Sequence, residues 1–416
     1  MAVPEPQPER ERSCKRIIVL GSTGSIGTQA LTVIHAWNAS PERPYSLEVV
    51  GLAAGRNLPL LADQVRTFRP CGVAIARPED LPRLRHLLQG EGTGGSLRLF
   101  AGEDGIRELL EAIPADTVVN GLVGAAGLLP TLTALERGID VALANKESLV
   151  IGGPLVRAAL ARSEARLIPV DSEHSALFQL LQGCSPSEVR RVVLTASGGA
   201  LRDWPRQRLA HASPEDVLAH PTWAMGARIT VDSATLVNKA FEVIEAHWLF
   251  DLPWDRIGAV LHPQSVVHAL VELVDGSWLA HLGDPDMRVP LQYALTYPQR
   301  VAHRWAPLRL EGLTLTFRAL KADRYPAFRL VVEAGRQGGT FPAVANAADE
   351  VAVERFLRKE IDFGSIPRLL AAALEAHGAR AVPSAELTLE AIREADRWAR
   401  AFASRWPSAP SRSGGR

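Results

Sequence analysis

Short, continuously apolar, β-prone runs recur through the first third of the chain, at Ile17–Leu20, Leu47–Ala54, Val73–Ile75, Leu97–Phe100, Val118–Asn120 and Val141–Ala144. Runs of this kind suit strands buried on both faces, as in parallel sheets. Helical periodicity fills most of the gaps, at Thr28–Trp37, Leu58–Phe68, Leu81–Leu88, Ile106–Ile113 and Leu128–Arg137. The alternation predicts βαβ units wound into one parallel sheet over residues 14–165.

The pattern then changes. Strand-like runs at Leu167–Val170, Val192–Thr195, Gly258–Leu261, Val266–Leu273 and Trp278–Leu282 mix with a long helix near Ala234–Phe250 and an irregular stretch, Ser197–Met225. That predicts a central α+β domain over 166–296. Residues 297–320, rich in proline and arginine, read as a connecting segment. Four helical patterns, Tyr325–Gln337, Ala343–Lys359, Ile366–His377 and Ser384–Ser404, predict a C-terminal helical bundle over 321–405. The ends, 1–13 and 406–416, have the composition of disordered tails.

Composition removes several function classes. With 416 residues, 47% of them apolar, the chain can bury more than one core. Lysine plus arginine equals aspartate plus glutamate at 46 each, so no charge excess points to nucleic acid or an anionic membrane. Cys14, Cys71 and Cys184 are odd in number and far apart, which argues against a disulfide framework and a zinc site and fits a reducing cytoplasm. The opening MAVPEPQPERER lacks the apolar stretch of a secretory signal, and no later run approaches membrane-spanning length. A cytoplasmic enzyme of small molecules is the expectation.

The turn Gly21-Ser22-Thr23-Gly24-Ser25-Ile26-Gly27 follows a strand and opens a helix, the setting in which backbone N–H groups and a helix N-terminus hold a pyrophosphate. The spacing is GxxGxxG and not the commoner GxGxxG, so a merely tight strand-to-helix turn is the plain alternative to a Rossmann-like dinucleotide site. The second strand ends Ala54-Gly55-Arg56-Asn57, with no carboxylate for a ribose 2′-hydroxyl but with Arg56 and Asn57 available to a 2′-phosphate. NADP(H) is therefore favoured over NAD(H). Asn145-Lys146-Glu147 sits after a later strand, at the carboxyl edge where such sheets bind ligands.

A second constellation follows the strand near residue 170. If the extended geometry persists through Asp171-Ser172-Glu173, the two carboxylates point the same way, and a hard divalent cation is the simplest way to hold both charged. The alternative is an acidic cap on the helix that follows. The segment Val231–Glu245 reads as a helix with Asp232 or Ser233 as N-cap and an apolar stripe of Val237, Phe241, Ile244 and Trp248. Asn238, Lys239 and Glu242 crowd its polar face. Glu242 can complete a metal site, with Glu245 a rival on helix geometry, while Ser233, Asn238 and Lys239 can hold a phosphate; a solvated helix face is the plain alternative. Between the two constellations, glycines at 198 and 199 and the cover of Trp204, His220, Trp223 and Met225 suggest a lid over 197–227, with a structural loop pinned by its tryptophans as the plain alternative.

In order along the chain, GSTGSIG, AGRN, ALANKESLV, PVDSEHSALFQ, TASGGAL, HPTWAMG, ITVDSATLVNKAFEVIEAHWLF, LHPQSVVHALVE and LGDPDMRVPLQYAL resemble the 1-deoxy-D-xylulose 5-phosphate reductoisomerase family, from about Lys15 to Ser404. The resemblance implies conversion of that phosphorylated ketose to 2-C-methyl-D-erythritol 4-phosphate in the non-mevalonate isoprenoid route, by a homodimer using NADPH and Mg²⁺, Mn²⁺ or Co²⁺. It implies that Asp171, Glu173 and Glu242 bind the metal, and that Lys146, Ser172, Ser197, His220, Ser233, Asn238 and Lys239 meet the substrate, Lys146 and His220 as catalytic groups. It also implies that Trp223 and Met225 belong to the lid, and that Thr23, Gly24, Ser25, Ile26, Gly55, Arg56, Asn57, Asn145, Glu147 and Gly226 contact NADPH. Phe241, where a smaller aliphatic residue is more familiar, and details of FPAVANAADEVAVERFL depart from the family pattern, which bears on packing and leaves the site residues intact.

Overall fold

The computed structural model describes residues 14–89, 97–221, 225–302, 305, 307–321 and 323–407. Its first layer is a seven-stranded sheet: β1 (Cys14–Leu20), β2 (Ser46–Ala54), β3 (Gly72–Ile75), β4 (Arg98–Ala101), β5 (Thr117–Asn120), β6 (Asp140–Leu143) and β7 (Leu167–Pro169). The order is β4-β3-β2-β1-β5-β6-β7, and every pairing is parallel. Ile17, Ile18, Val19 and Leu20 of the central strand are fully buried, as the apolar run requires. Strands fan out to both sides of β1, so a crevice opens at the carboxyl ends of β1 and β5, where the order reverses. β7, the run expected to open the central domain, pairs instead with β6 and closes this first sheet.

The second sheet contains β8 (Val189–Ala196), β9 (Ile257–Leu261), β10 (Val267–Leu273), β11 (Trp278–Leu282) and β12 (Arg318–Ala319), in the order β11-β10-β8-β9-β12. Only β8 and β9 run parallel. β12 comes from the connecting segment, which therefore supplies an edge strand as well as a linker. The stretch expected to be irregular holds two short helices, Arg206–Leu209 and Pro214–Leu218, the second fixed by a capping box of Ser213 and Asp216.

Five helices position the site: α1 (Ser25–Asn38), α2 (Glu147–Ala161), α3 (Ser172–Leu181), α4 (Ala227–Thr235) and α5 (Val237–Phe250). The long helix expected near 234–250 is thus two. The break is Leu236, held left-handed at φ 60°, with Thr235 sealing it: its hydroxyl donates to the Asp232 carbonyl (3.2 Å) and accepts from the Val237 N–H (3.3 Å). Asp232 and Ser233 accordingly lie inside α4 and cap nothing on α5. The C-terminal bundle consists of α6 (Pro326–Gln337), α7 (Phe341–Leu357), α8 (Ser365–His377) and α9 (Leu389–Arg405).

The predicted stripe holds. Val237, Phe241 and Ile244 are buried in a core shared with Val331 and Ala334 of α6, and a Cβ on Gly335 would lie 2.6 Å from Ile244. α2 packs on α5 through Gly153, whose missing side chain leaves room for the Trp248 ring; a Cβ there would lie 2.4 Å from it. Among the described residues no helix is long and apolar enough to cross a membrane. Of the two expected tails, all but Trp406 and Pro407 lies outside the described residues, and the Trp406 carbonyl accepts from Arg355 at 2.8 Å.

Candidate active site

The glycine turn is set by close approach of backbone. Gly21 has φ +73°, and a Cβ on it would lie 2.6 Å from the Gly121 carbonyl oxygen; at Gly27 a Cβ would lie 2.3 Å from the oxygen of Gly21. Neither position admits a side chain. Gly24 caps α1, so Thr23, Gly24, Ser25 and Ile26 form a partly exposed helix start at the crevice, where the dipole favours an anion. Gly55, Arg56 and Asn57 stand exposed at the end of β2, and Asn57 also caps the next helix by accepting from the Leu60 N–H at 3.3 Å.

Beyond β6, the Asn145 amide donates to the carbonyls of Leu122 and Gly124, each at 3.0 Å, and lies 2.9 Å from Glu147 Oε2. Glu147 Oε1 accepts from the Gly124 N–H at 3.1 Å. Asn145 and Glu147 therefore brace the loop after β5 at the crevice. Gly226 is exposed as the N-cap of α4, and Arg228 on the first turn pairs with Glu147 at 3.2 Å. The expected cofactor positions thus come from four places in the sequence, linked through the Ser22 N–H to the Ala53 carbonyl (2.8 Å), the loop after β5 and the Arg228–Glu147 pair.

Asp171 follows β7 and caps α3, its Oδ1 accepting from the Ser172 N–H at 3.0 Å. The helix begins at Ser172, so the expected extended Asp171-Ser172-Glu173 geometry does not form; the first helical turn gathers the two carboxylates instead. Glu242 arrives from α5, and one oxygen each of Asp171, Glu173 and Glu242 lie within 4.8 Å of one another. Three carboxylate oxygen donors, two on half-buried residues and one on a buried residue, suit a hard divalent ion. A second group, Asp171, His174 and Glu245, shares Asp171. There His174 and Glu245 are sealed from solvent, and burial raises the Glu245 carboxyl well above its usual range, so this group suits an acid held neutral.

Two lysines neutralise the cluster. Lys146 Nζ lies 2.5 Å from Asp171 and 3.1 Å from Glu242, and donates to Asn238 Oδ1 at 2.9 Å. Lys239 pairs with Glu173 at 2.8 Å and with Glu242. Burial alone would lower both ammonium groups, but the facing carboxylates outweigh it and raise them. Glu173 is likewise pushed up by burial, yet Lys239 and His268 hold it at about 2. Burial, reinforced by Glu173, lifts Glu242 to about 7. With Lys239 and Glu242 both buried, the solvated-face alternative for this helix is removed.

The remaining polar residues form an adjoining wall. Ser172 Oγ donates to Glu173. Ser197 follows β8, and the positive-φ pair Gly198-Gly199 folds its loop onto α4, where a Cβ on Gly199 would lie 2.6 Å from Ala234 Cα. Ser197 Oγ stands 3.1 Å from His220 Nε2, whose imidazole is lowered by burial and by Arg202. Ser233 lies beside that glycine, and Asn238 and Lys239 begin the next helix. Met225 is half-buried next to Gly226, while Trp223 lies outside the described residues. Three members were not assigned from sequence. His174 and His268 sat unassigned in the motifs, and Arg228 precedes the helix start expected at Asp232 or Ser233, so its place on a first turn facing distant carboxylates was not legible.

A parallel dinucleotide-type sheet whose crevice adjoins a buried carboxylate and lysine cluster defines an oxidoreductase of a small substrate. A family model described as 1-deoxy-D-xylulose 5-phosphate reductoisomerase matches residues 17–153, and C-terminal domain models of the same family match 167–250 and 282–402. The chain belongs to the 1-deoxy-D-xylulose 5-phosphate reductoisomerase family. The Gloeobacter violaceus enzyme of that name is 52% identical over 93% of this chain and 96% of its own length, and a Synechococcus relative is 53% identical over 92% and 95%. A solved reductoisomerase in complex with NADPH, fosmidomycin and magnesium is 35% identical, with TM-score 0.86 over 94% of this chain and 97% of that one. The Zymomonas mobilis enzyme in complex with NADPH is 38% identical, with TM-score 0.82 over 94% and 98%.

Proposed function

We propose that this chain converts 1-deoxy-D-xylulose 5-phosphate to 2-C-methyl-D-erythritol 4-phosphate with NADPH and a divalent cation, Mg²⁺, Mn²⁺ or Co²⁺. The observation that carries the reading is the convergence of Asp171, Glu173 and Glu242 within 4.8 Å, flanked by Lys146 and Lys239. The complexes of the solved relatives with NADPH and magnesium support it. In this reading residues 14–165 together with β7 bind the cofactor, 166–296 carry the chemistry beneath a lid at 197–227, 297–320 connect, and 321–405 buttress the site.

Asp171, Glu173 and Glu242 would hold the metal; when bound, the cation supplies charge stabilisation to neighbouring substrate oxygens and NADPH supplies the hydride. Lys146 and Ser172 meet the substrate beside the metal ligands. Lys146 is the fixed positive charge there, because Asp171 and Glu242 keep it protonated. Ser197, Ser233, Asn238 and Lys239 take the phosphate end with His220, so that binding energy remote from the reacting carbons orients them. Thr23, Gly24, Ser25 and Ile26 hold pyrophosphate, Arg56 with Gly55 and Asn57 the 2′-phosphate, and Asn145, Glu147 and Gly226 the nicotinamide half. The lid, through Trp223 and Met225, excludes water.

NADPH oxidation with 1-deoxy-D-xylulose 5-phosphate, followed by absorbance, tests the reading: turnover must require both the ketose phosphate and the divalent ion. Turnover that survives chelation, or that runs on a different substrate alone, overturns it. A homodimer through the outer face of the second sheet belongs to the same reading, because Trp278 and Phe317 expose 47% of their surface there, with Leu310, Leu313 and Leu315 also exposed on the connecting segment. A monomer by sedimentation at micromolar concentration refutes it.

A further inference from the structure

Arg228 stands on the first turn of α4, where the helix dipole disfavours a cation. Four carboxylates from three helices, α2, α7 and α4 itself, surround it there. Its Nη1 lies 3.2 Å from Glu147 on α2 and 2.9 Å from Glu350 on α7. Nη2 donates to Asn346 Oδ1 at 3.0 Å and lies 4.0 Å from Asp349, and Nε is 3.6 Å from Asp232. The far side is braced as well, since Glu350 Oε2 accepts from Arg400 of α9 at 2.7 Å.

The near side is the rim of the crevice. Glu147 Oε1, the oxygen that Arg228 touches, also accepts from the Gly124 N–H. Glu350 packs so closely on Gly124 that a Cβ there would lie 2.6 Å from its Oε1. Burial alone would lower the Arg228 guanidinium, but Asp232 first, then Glu147, Glu350 and Asp349, outweigh it and keep the group charged. The helix that supplies Asn346, Asp349 and Glu350 is FPAVANAADEVAVERFL, whose departures from the family pattern bore, from sequence, on packing alone. In the fold it reaches the cofactor rim.

We propose that Arg228 is a positioning residue for the dinucleotide, tying Glu147 and the loop at Gly124 to α7 so that the C-terminal bundle sets the shape and charge of the cofactor site. The proposal rests on the reading that Glu147 and Gly226 face NADPH. Two physical effects act together. Arg228 fixes the C-terminal root of the lid two residues after Gly226, and it cancels carboxylate charge that would otherwise face an anionic cofactor. Without it, Arg400 is left as the nearest cation on Glu350, and Arg400 already pairs with Asp396.

The test uses the full chain and NADPH itself. Arg228→Met raises the NADPH Kd, read by fluorescence titration, roughly tenfold, a coupling of ordinary size between linked sites. KM for NADPH rises with it, while kcat at saturating NADPH changes by less than about threefold, since the cluster does not touch the reacting carbons. Arg228→Lys recovers part of the affinity. Glu350→Gln, on the C-terminal bundle, moves Kd in the same direction, and the double variant with Arg228→Met is no worse than Arg228→Met alone. Should Arg228→Met not fold, Glu350→Gln decides by itself. An NADPH Kd unchanged in the folded variants overturns the proposal. Arg56→Ala, run in parallel, separates the failures: if it alone weakens NADPH, the coupling is wrong, and if none of the three does, the cofactor-site reading is wrong too.

Discussion

The dinucleotide crevice and the carboxylate cluster lie at adjoining edges of the molecule and are built from opposite materials. The crevice is backbone: Gly21 and Gly27 admit no Cβ, and residues 21–27 contain no titratable side chain. The cluster is side chain: Asp171, Glu173, Glu242, Lys146 and Lys239 are neighbours within ion-pair distance, three of them buried. One region is sensitive to volume and indifferent to pH; the other tolerates volume only where charge stays balanced. The two should therefore fail separately.

The largest separation comes from Glu242→Gln, which keeps the shape and removes the charge. Turnover falls by a factor on the order of 10²–10³ or more, the usual cost of losing one electrostatic contact to the reacting group, while NADPH titration is unchanged. Turnover near that of the parent removes Glu242 from the site. Glu245→Gln is the companion variant: its carboxyl is held neutral by burial, so the amide should leave turnover within a few-fold. A loss as deep as that of Glu242→Gln would instead make Glu245 the ligand.

Gly27→Ala is the converse experiment. With a Cβ 2.3 Å from the Gly21 oxygen, the turn must shift, costing about 1–3 kcal/mol by overpacking, and thermal denaturation with NADPH titration should register both the loss of stability and weaker binding. Divalent metal affinity should be untouched; if it falls equally, the two regions are not independent.

Arg56→Ala is smaller again. Removing a cation from the 2′-phosphate loses roughly 1.5–3 kcal/mol of charge-assisted hydrogen bonding, read as a drop in the NADPH over NADH preference in kcat/KM. An unchanged ratio takes Arg56 out of the cofactor site. The last effect is one of pH. Burial holds the His174 imidazole at about 4 against an ordinary value of 6.5, so the unfolded chain binds this proton first. The stability it contributes is whole above pH 6.5 and is lost as pH falls through 4. Melting temperature should therefore decline over that window, less steeply in His174→Asn, and an identical slope in the two proteins excludes His174 as a contributor.

Legibility from sequence follows the same division. Strands such as Ile17–Leu20 and Val141–Ala144 were visible because continuous apolar runs suit burial on both faces, and the glycine turn was visible because backbone sites need fixed spacing. β7 was misplaced because a short apolar strand carries no label of the sheet it joins. The break at Leu236 was invisible: leucine rarely adopts positive φ, and no glycine or proline marks the position. Asp171 and Glu173 were found for a reason the fold replaced, since a helix start and not an extended strand brings them together. Arg228 was missed because its partners come from α2 and α7, far away in sequence, and long-range charge pairing leaves no periodicity to read.

Gly153 bears on how such an enzyme can be slowed or retuned. It touches no reacting group, yet the space it leaves for Trp248 decides how near α2 stands to α5, and so how deep Lys146 reaches toward Glu242. It serves as a spacer of zero thickness. Substitutions there would change the reach of a lysine several residues away without altering any charge, so loss-of-activity variants in this fold should also cluster at helix contacts that carry no chemistry of their own.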